Sequence, residues 1–150
     1  MKYLCVDFGE ARIGFAHCDK NETIAMGLRT EKVNGIKTAV EKTVAAALET
    51  GAEEIVIGMP LRTDGTRGDK SERVERFAEM VREASSLTVR TFDERFSTMH
   101  AHQLLNETAI SGRKRKNVID TLSAQLILES FLERKKNIAK IQKDDPEAEK

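Results

Sequence analysis

The spacing of hydrophobic and polar positions changes several times along the chain, and each change marks an element. Tyr3 to Phe8, Ile13 to Cys18 and Thr23 to Thr30 are short apolar runs separated by Gly9 and by Asp19-Lys20-Asn21-Glu22. Runs of that length with turn residues between them predict three strands in an antiparallel meander. From Ile36 the spacing turns helical: Ile36, Val40, Val44, Ala47 and Leu48 recur until Gly51, which predicts a helix over about 35 to 50. Glu54-Ile55-Val56-Ile57-Gly58 is β-branched and too short for a helix, so it reads as a buried strand parallel to the first.

The segment MPLRTDGTRGDK that follows, with Pro60, Asp64-Gly65 and Gly68, predicts a loop. Val74, Phe77, Ala78 and Val81 predict a helix over about 70 to 84. Leu87 to Phe92 reads as a strand, and Thr98 to Asn106 as a helix capped by Ser97 or Thr98. Val118, Leu122, Gln125, Leu126, Leu128, Glu129 and Leu132 predict a last helix over about 117 to 135. The order β β β α β α β α α implies an α/β fold: a five-stranded mixed sheet, three antiparallel strands then two parallel, with helices on both faces. One domain over residues 1–135 and a charged, flexible tail over 136–150 are expected.

The 25 basic and 25 acidic side chains cancel over 150 residues, which argues against a protein that coats nucleic acid by bulk charge. Locally the charge is uneven. Arg113-Lys114-Arg115-Lys116 is a compact basic run, read either as a phosphate contact or as a solvated loop, and the chain ends acidic from Asp144. No stretch of roughly 18 apolar residues offers a membrane span, and no signal peptide opens the chain, so a cytoplasmic location is expected. Cys5 and Cys18 form no metal or redox motif and are expected to be reduced core residues, with Cys5 opposite about residue 16 rather than opposite Cys18.

The chemistry lies in carboxylates. Asp7 ends the first strand, where open α/β sheets build their ligand crevices. Asp93 and Glu94 end the fifth strand. Asp120 is expected in the first turn of the last helix, with Ile119, Leu122 and Leu126 packing on the sheet. Three carboxylates from distant parts of the chain could meet at one sheet edge, where oxygen donors suit Mg²⁺ or Mn²⁺, and two such ions roughly 3.5 to 4 Å apart suit phosphodiester cleavage. Taken singly, each has a plainer role: Asp7 as a turn residue, Asp120 as a partner of the helix dipole, Glu94 in an ion pair with Arg95. His17, His100 and His102 read as structural or solvated, since a spacing of two does not put a metal pair on one helical face.

Four motifs in order sharpen this reading: Asp7-Phe8-Gly9 with Arg12-Ile13-Gly14; Gly58-Met59-Pro60-Leu61 with Asp64-Gly65-Thr66 and Gly68; Asp93-Glu94-Arg95-Phe96-Ser97-Thr98; and Ile119-Asp120 with Ala124, Ile127 and Leu128. Together they resemble the YqgF family, Holliday-junction-resolvase-like pre-16S rRNA nucleases of ribonuclease H-like fold. The resemblance covers nearly the whole chain. It implies a metal-dependent nuclease that processes the 5′ end of precursor 16S rRNA in ribosome biogenesis, with Asp7, Glu94 and Asp120 as catalytic and metal-holding residues. Adjacent strand residues face opposite sides, so of Asp93 and Glu94 only one is expected at the metal, and Glu94 is chosen. Arg95, Lys114 and Arg115 are expected to hold flanking phosphates. A resolvase of branched DNA is the nearest alternative, and a noncatalytic RNA-binding module is another. A nucleotide-binding kinase fold needs a second α/β half that 150 residues do not hold. A monomer or weak homodimer is expected.

Overall fold

Strand β1 (Tyr3–Phe8) sets the architecture because its alternate side chains serve two different cores. Leu4, Val6 and Phe8 enter one apolar cluster, and Tyr3 and Cys5 enter another. A strand buried on both sides reads as the nearly continuous apolar run seen in the sequence. The computed structural model describes residues 1–60, 68–93 and 112–144, and only the backbone at 69, 112–120, 143 and 144. The expected helix over 98–106 and the central loop from residue 61 to 67 lie outside the described residues.

Five strands form one sheet in the order β3-β2-β1-β4-β5. Strands β2 (Arg12–Cys18) and β3 (Ala25–Lys32) continue antiparallel from β1. Strands β4 (Glu54–Met59) and β5 (Thr88–Asp93) run parallel to it. The predicted mixed sheet is therefore observed, with the third strand starting and ending two residues later than the apolar pattern suggested. Cys5 pairs with Ala16 as expected, and both cysteines are free and buried. Burial pushes the Cys18 thiol pKa up, and its sulfur instead accepts a hydrogen bond from the Tyr3 amide at 3.3 Å.

Helices α1 (Ile36–Thr50) and α2 (Asp69–Ser85) cover one face. Val40, Ala47, Val74, Phe77 and Val81 pack there against Leu4, Val6, Phe15 and Ile57. Helix α1 stops at Gly51, whose φ of 70° is left-handed and whose amide caps Ala47 and Leu48 carbonyls. Leu48, predicted to join the buried stripe, is 80% exposed. A strict i+4 series precesses by about 40° per step around an α-helix, so the stripe that faces the sheet is Ala39, Val40, Thr43, Ala46 and Ala47.

Helix α3 (Gly112–Asp144) covers the other face and corrects the sequence reading in four ways. It is longer than the predicted 117 to 135 at both ends, because Lys, Arg, Glu, Gln and Ala are good helix formers even where no apolar stripe is required. The basic run Arg113–Lys116 consequently belongs to helical backbone rather than to a loop. Asp120 stands beyond the first two turns, so the helix dipole does not account for it. The packing stripe is Ala124, Ile127, Leu128 and Leu132, while Leu122 and Leu126 are only half-buried.

Candidate active site

All three parallel strands, β1, β4 and β5, deliver their carboxyl ends to the same edge of the sheet. Asp7 is the penultimate residue of β1 and is half-buried there. It pairs with Gly14 across β2, as Cys5 pairs with Ala16. Alternation therefore puts Asp7 on the face of Tyr3 and Cys5, the face of α3, opposite the core built by Val6 and Phe8.

The turn that follows Asp7 is held by three contacts. The Gly9 amide donates to the Arg12 carbonyl at 2.9 Å, and a Cβ on Gly9 would stand 2.8 Å from that same oxygen, so a larger residue would force the turn open. The Ala11 carbonyl accepts from the Val33 amide at 2.9 Å. The third contact comes from α2: Arg73 Nη1 donates to the Gly9 carbonyl at 2.9 Å, and Nη2 reaches the Glu10 carbonyl at 3.5 Å. The same guanidinium lies 4.1 Å over the Phe8 ring, which stacks on Phe77 with centroids 4.1 Å apart. Phe8 is thus clasped by two residues one helical turn apart, a contact worth about 1 kcal/mol or more for each partner.

A cavity of about 210 Å³ opens beside this turn, lined by Asp7, Glu10, Pro60, Lys70, Arg73 and Val74 among others. Its far wall is fixed by Ser71, whose hydroxyl donates to the Pro60 carbonyl at 2.6 Å and ties the end of β4 to the start of α2. Neither Arg73 nor Lys70 was singled out by the sequence. Both sit on a helix face that looks solvent-exposed in one dimension, and no motif spacing marks them.

Of the carboxylates named from the sequence, Asp7 is described with its side chain. Glu94 and Arg95 lie outside the described residues, as do His100 and His102. The register still bears on the choice between Asp93 and Glu94. Val89 is buried in the α1–α2 core, and Thr91 lines a cavity against α2. Asp93 follows them at a period of two onto the α2 face, whereas Arg90 and Phe92 alternate onto the face of Asp7. Lys114, Arg115 and Asp120 fall on α3 where only the backbone is described. Position 120 precedes Ala124 by four and Ile127 by seven residues, the spacing of one helix face. The next residue, Thr121, meets Thr30 hydroxyl to hydroxyl at 2.5 Å. Thr30 pairs with Gly14, which pairs with Asp7. This part of α3 therefore crosses the row of Asp7 two strands away, roughly 10 Å.

Among the described residues, no group of three or more His, Cys, Asp or Glu side chains is gathered as for a metal ion. Nor is any described helix long and apolar enough to cross a membrane. Ser123, one turn after position 120, is 1% exposed, and its hydroxyl has no hydrogen-bond partner among the described residues.

Comparison with known proteins adds lineage to this geometry. The sequence model of the RuvX family, described as a Holliday junction resolvase family, matches residues 1–134. A protein of Ruminiclostridium cellulolyticum named "Putative pre-16S rRNA nuclease" is 36% identical over 135 residues, 89% of this chain and 95% of its own length. Its namesake in Thermoanaerobacter pseudethanolicus is 39% identical over 138 residues, 91% of this chain and 99% of its own. Among solved structures, fowlpox virus resolvase with Holliday junction DNA superposes with a TM-score of 0.57 at 12% identity, covering 89% of this chain and 98% of that one. Thermus thermophilus RuvC with its junction substrate gives 0.54 at 11% identity, covering 89% and 95%. Likeness at that identity carries the fold, a ribonuclease H-like sheet of the RuvC type, and the predicted fold class agrees with it.

Proposed function

The chain belongs to the RuvX family, and from that membership we propose that it is a phosphodiester hydrolase that trims the 5′ end of precursor 16S rRNA in the cytoplasm with a divalent ion, Mg²⁺ or Mn²⁺. One observation carries the reading above the others. Asp7 stands at the carboxyl end of β1 on the α3 face, in a half-buried position that a mere turn residue does not need. Asp7, Glu94 and Asp120 are the proposed catalytic and ion-holding residues. Asp93 follows Val89 and Thr91 onto the opposite face of the sheet, and position 120 shares the helix face of Ala124.

Carboxylate oxygens are the hard donors that Mg²⁺ and Mn²⁺ prefer, and the Ser123 hydroxyl one turn from position 120, which has no partner among the described residues, fits a polar site that something else completes. When bound, such an ion supplies positive charge against the charge that builds on the reacting phosphate. The remaining work is positional. Arg73 fixes the turn after Asp7 and so limits how far that carboxylate can swing. Arg95, Lys114 and Arg115 are proposed to hold flanking phosphates, for which the planar guanidinium and the ammonium are suited.

The test is cleavage of a precursor 16S rRNA fragment and of a four-way DNA junction by wild type and Asp7→Asn, in Mg²⁺ and in Mn²⁺. Wild type is expected to cut the RNA, and Asp7→Asn to fold normally and cut neither substrate. Undiminished cleavage by Asp7→Asn overturns the site. Cleavage of the junction alone would transfer the same residues to a resolvase, the reading that the family's description favours. A noncatalytic RNA-binding module requires Asp120→Asn to leave function intact.

A further inference from the structure

On the face that carries Asp7, α3 lies over β1, β2 and β3 and only grazes β4. Across the β4–β5 half of that face Val56 is fully buried, but β5, the sheet's edge strand, leaves Arg90 exposed and Phe92 half-buried. Between this half and α3 runs a groove of about 290 Å³, lined by Tyr3, Arg90, Phe92, Phe131, Arg134 and Lys135. Its floor is aromatic. Phe131 meets Tyr3 edge to face with centroids 5.0 Å apart and meets Phe92 at 5.9 Å, and both phenylalanines are half-open to solvent.

Its rim is cationic. Arg90 is braced by Glu54 at 2.8 Å. Lys135 donates to Tyr3 Oη and to Glu22 Oε1, each at 2.7 Å. Arg134 is exposed and makes no hydrogen bond or ion pair among the described residues. The helix continues past the sheet with Lys136 and Lys140, both exposed. The groove begins at Phe92, the penultimate residue of β5, next to the carboxyl edge of the sheet.

We propose that this groove is a binding track for single-stranded RNA that leads away from the catalytic edge; the proposal rests on the nuclease reading and names the form of substrate it handles. Aromatic side chains give bases a sequence-tolerant stacking platform, and cations beside them track the phosphates. Two carboxylates, Glu22 and Glu54, leave the three groove cations in excess and also hold two of them in place. The partly exposed Ile138 and Ile141, at 47% and 66%, continue the helix seam. A second copy docked there by two-fold symmetry would bring this basic stretch against itself. A polyanion meets no such repulsion.

The experiment is fluorescence anisotropy with a labelled oligoribonucleotide of about 12 nucleotides in EDTA, so that binding is read without cleavage, with the matching DNA oligomer and an RNA duplex as further arms. Wild type is expected to bind the single-stranded RNA. Arg134→Gln and Phe92→Leu are each expected to weaken it about 5- to 10-fold, and Arg134→Gln to lower the magnitude of the slope of log Kd against log salt by about 0.7. Arg76→Gln, an exposed position on α2 at the other face, is expected to bind as wild type. Wild-type affinity in both groove variants, an unchanged salt slope for Arg134→Gln, tighter binding of the duplex than of the single strand, or no binding by wild type at low salt overturns the groove. A dimer by sedimentation that Ile138→Lys dissociates would also overturn it, in favour of a second copy. Retained cleavage by Asp7→Asn alongside weakened binding by the groove variants would sink the catalytic site and spare the groove. Loss of cleavage by Asp7→Asn with unaltered groove variants would do the reverse.

Discussion

The two faces of the sheet differ more than two faces of one small sheet need to. Under α1 and α2 the side chains are large and interlocked, with Phe15 and Phe77 fully buried and Phe8 stacked on Phe77. Under α3 the first two strands present smaller ones, Cys5, Ala16 and Cys18 beside Tyr3, and a glycine, Gly27, stands under Thr121 of the helix. The first face resembles an ordinary core whose purpose is stability. The second trades packing for access, because its strands run from apolar residues near Tyr3 to Asp7 and Gly14 at the edge where chemistry is proposed. The same strand serves both, so damage to one face and damage to the other should be separable in experiments.

The largest separation is expected at Asp7 itself. Asp7→Asn should lower the cleavage rate about a thousandfold or more, about 4 kcal/mol in the barrier, while the thermal midpoint stays within a few degrees; a gel assay and a melting curve on the same preparation decide it. The opposite pattern is expected across the sheet, where Phe77→Ala should cost about 3 to 5 kcal/mol of stability by urea unfolding, with cleavage per folded molecule much less affected.

Smaller changes sharpen the contrast. A Cβ on Gly27 would stand 2.7 Å from Thr121 Cγ2, so Gly27→Ala should push α3 outward and cost about 1 to 3 kcal/mol, detected in the urea midpoint and in weaker amide protection along α3. Arg73 joins the two faces, since it leaves the α2 side to grip the turn after Asp7. Arg73→Met should therefore cost about 1 to 2 kcal/mol and raise the Mn²⁺ concentration needed for half-maximal cleavage by about tenfold, a readout that a purely structural role would not move.

The smallest expected effect is electrostatic. Burial alone would raise the Glu22 carboxyl, but Lys135 and the N-terminal ammonium outweigh it and hold the pKa below its ordinary 4.5. Burial would likewise lower Lys135, but Glu22 and Tyr3 outweigh it and hold it above 10.5. The pair's contribution is therefore complete between those values, is lost as pH falls through the folded pKa of Glu22, and is lost again as pH rises through that of Lys135. Lys135 is 45% exposed, so water and salt screen the pair to less than about 1 kcal/mol. Glu22→Gln should flatten the stability profile at both extremes, as read from urea midpoints across pH.

Much of the fold was legible one-dimensionally. The turn at Gly9, the parallel run Glu54–Met59, the stop at Gly51 and the pairing of Cys5 with Ala16 all follow from period and turn chemistry, which act over a few residues. The misreadings share a cause. Leu48, Leu122 and Leu126 read as buried in sequence because they are apolar, yet the phase of a helix on a sheet is chosen by contact, and a small residue such as Ala124 can lie innermost. Helix α3 outruns its apolar pattern because that periodicity ends where the sheet ends, whereas helix propensity continues. Arg73 left no trace at all, since its partners are backbone carbonyls at Gly9 and Glu10, far away in sequence.

For the site, the sequence by itself determined that Asp7 must part company with its neighbours. With Leu4, Val6 and Phe8 apolar and the strand period two, the carboxylate is obliged to the other face wherever that face lies. Only the tertiary structure decided what stands on that face: α3 rather than α1 or α2, its Thr121 seated by Gly27 and Thr30, its aromatic groove opened beside β5, and a turn clasped from behind by Arg73. The physical reason is range. Alternation is a property of the backbone and is written in every pair of residues, whereas the choice of covering helix depends on the fit of surfaces contributed by residues as far as 132 positions apart.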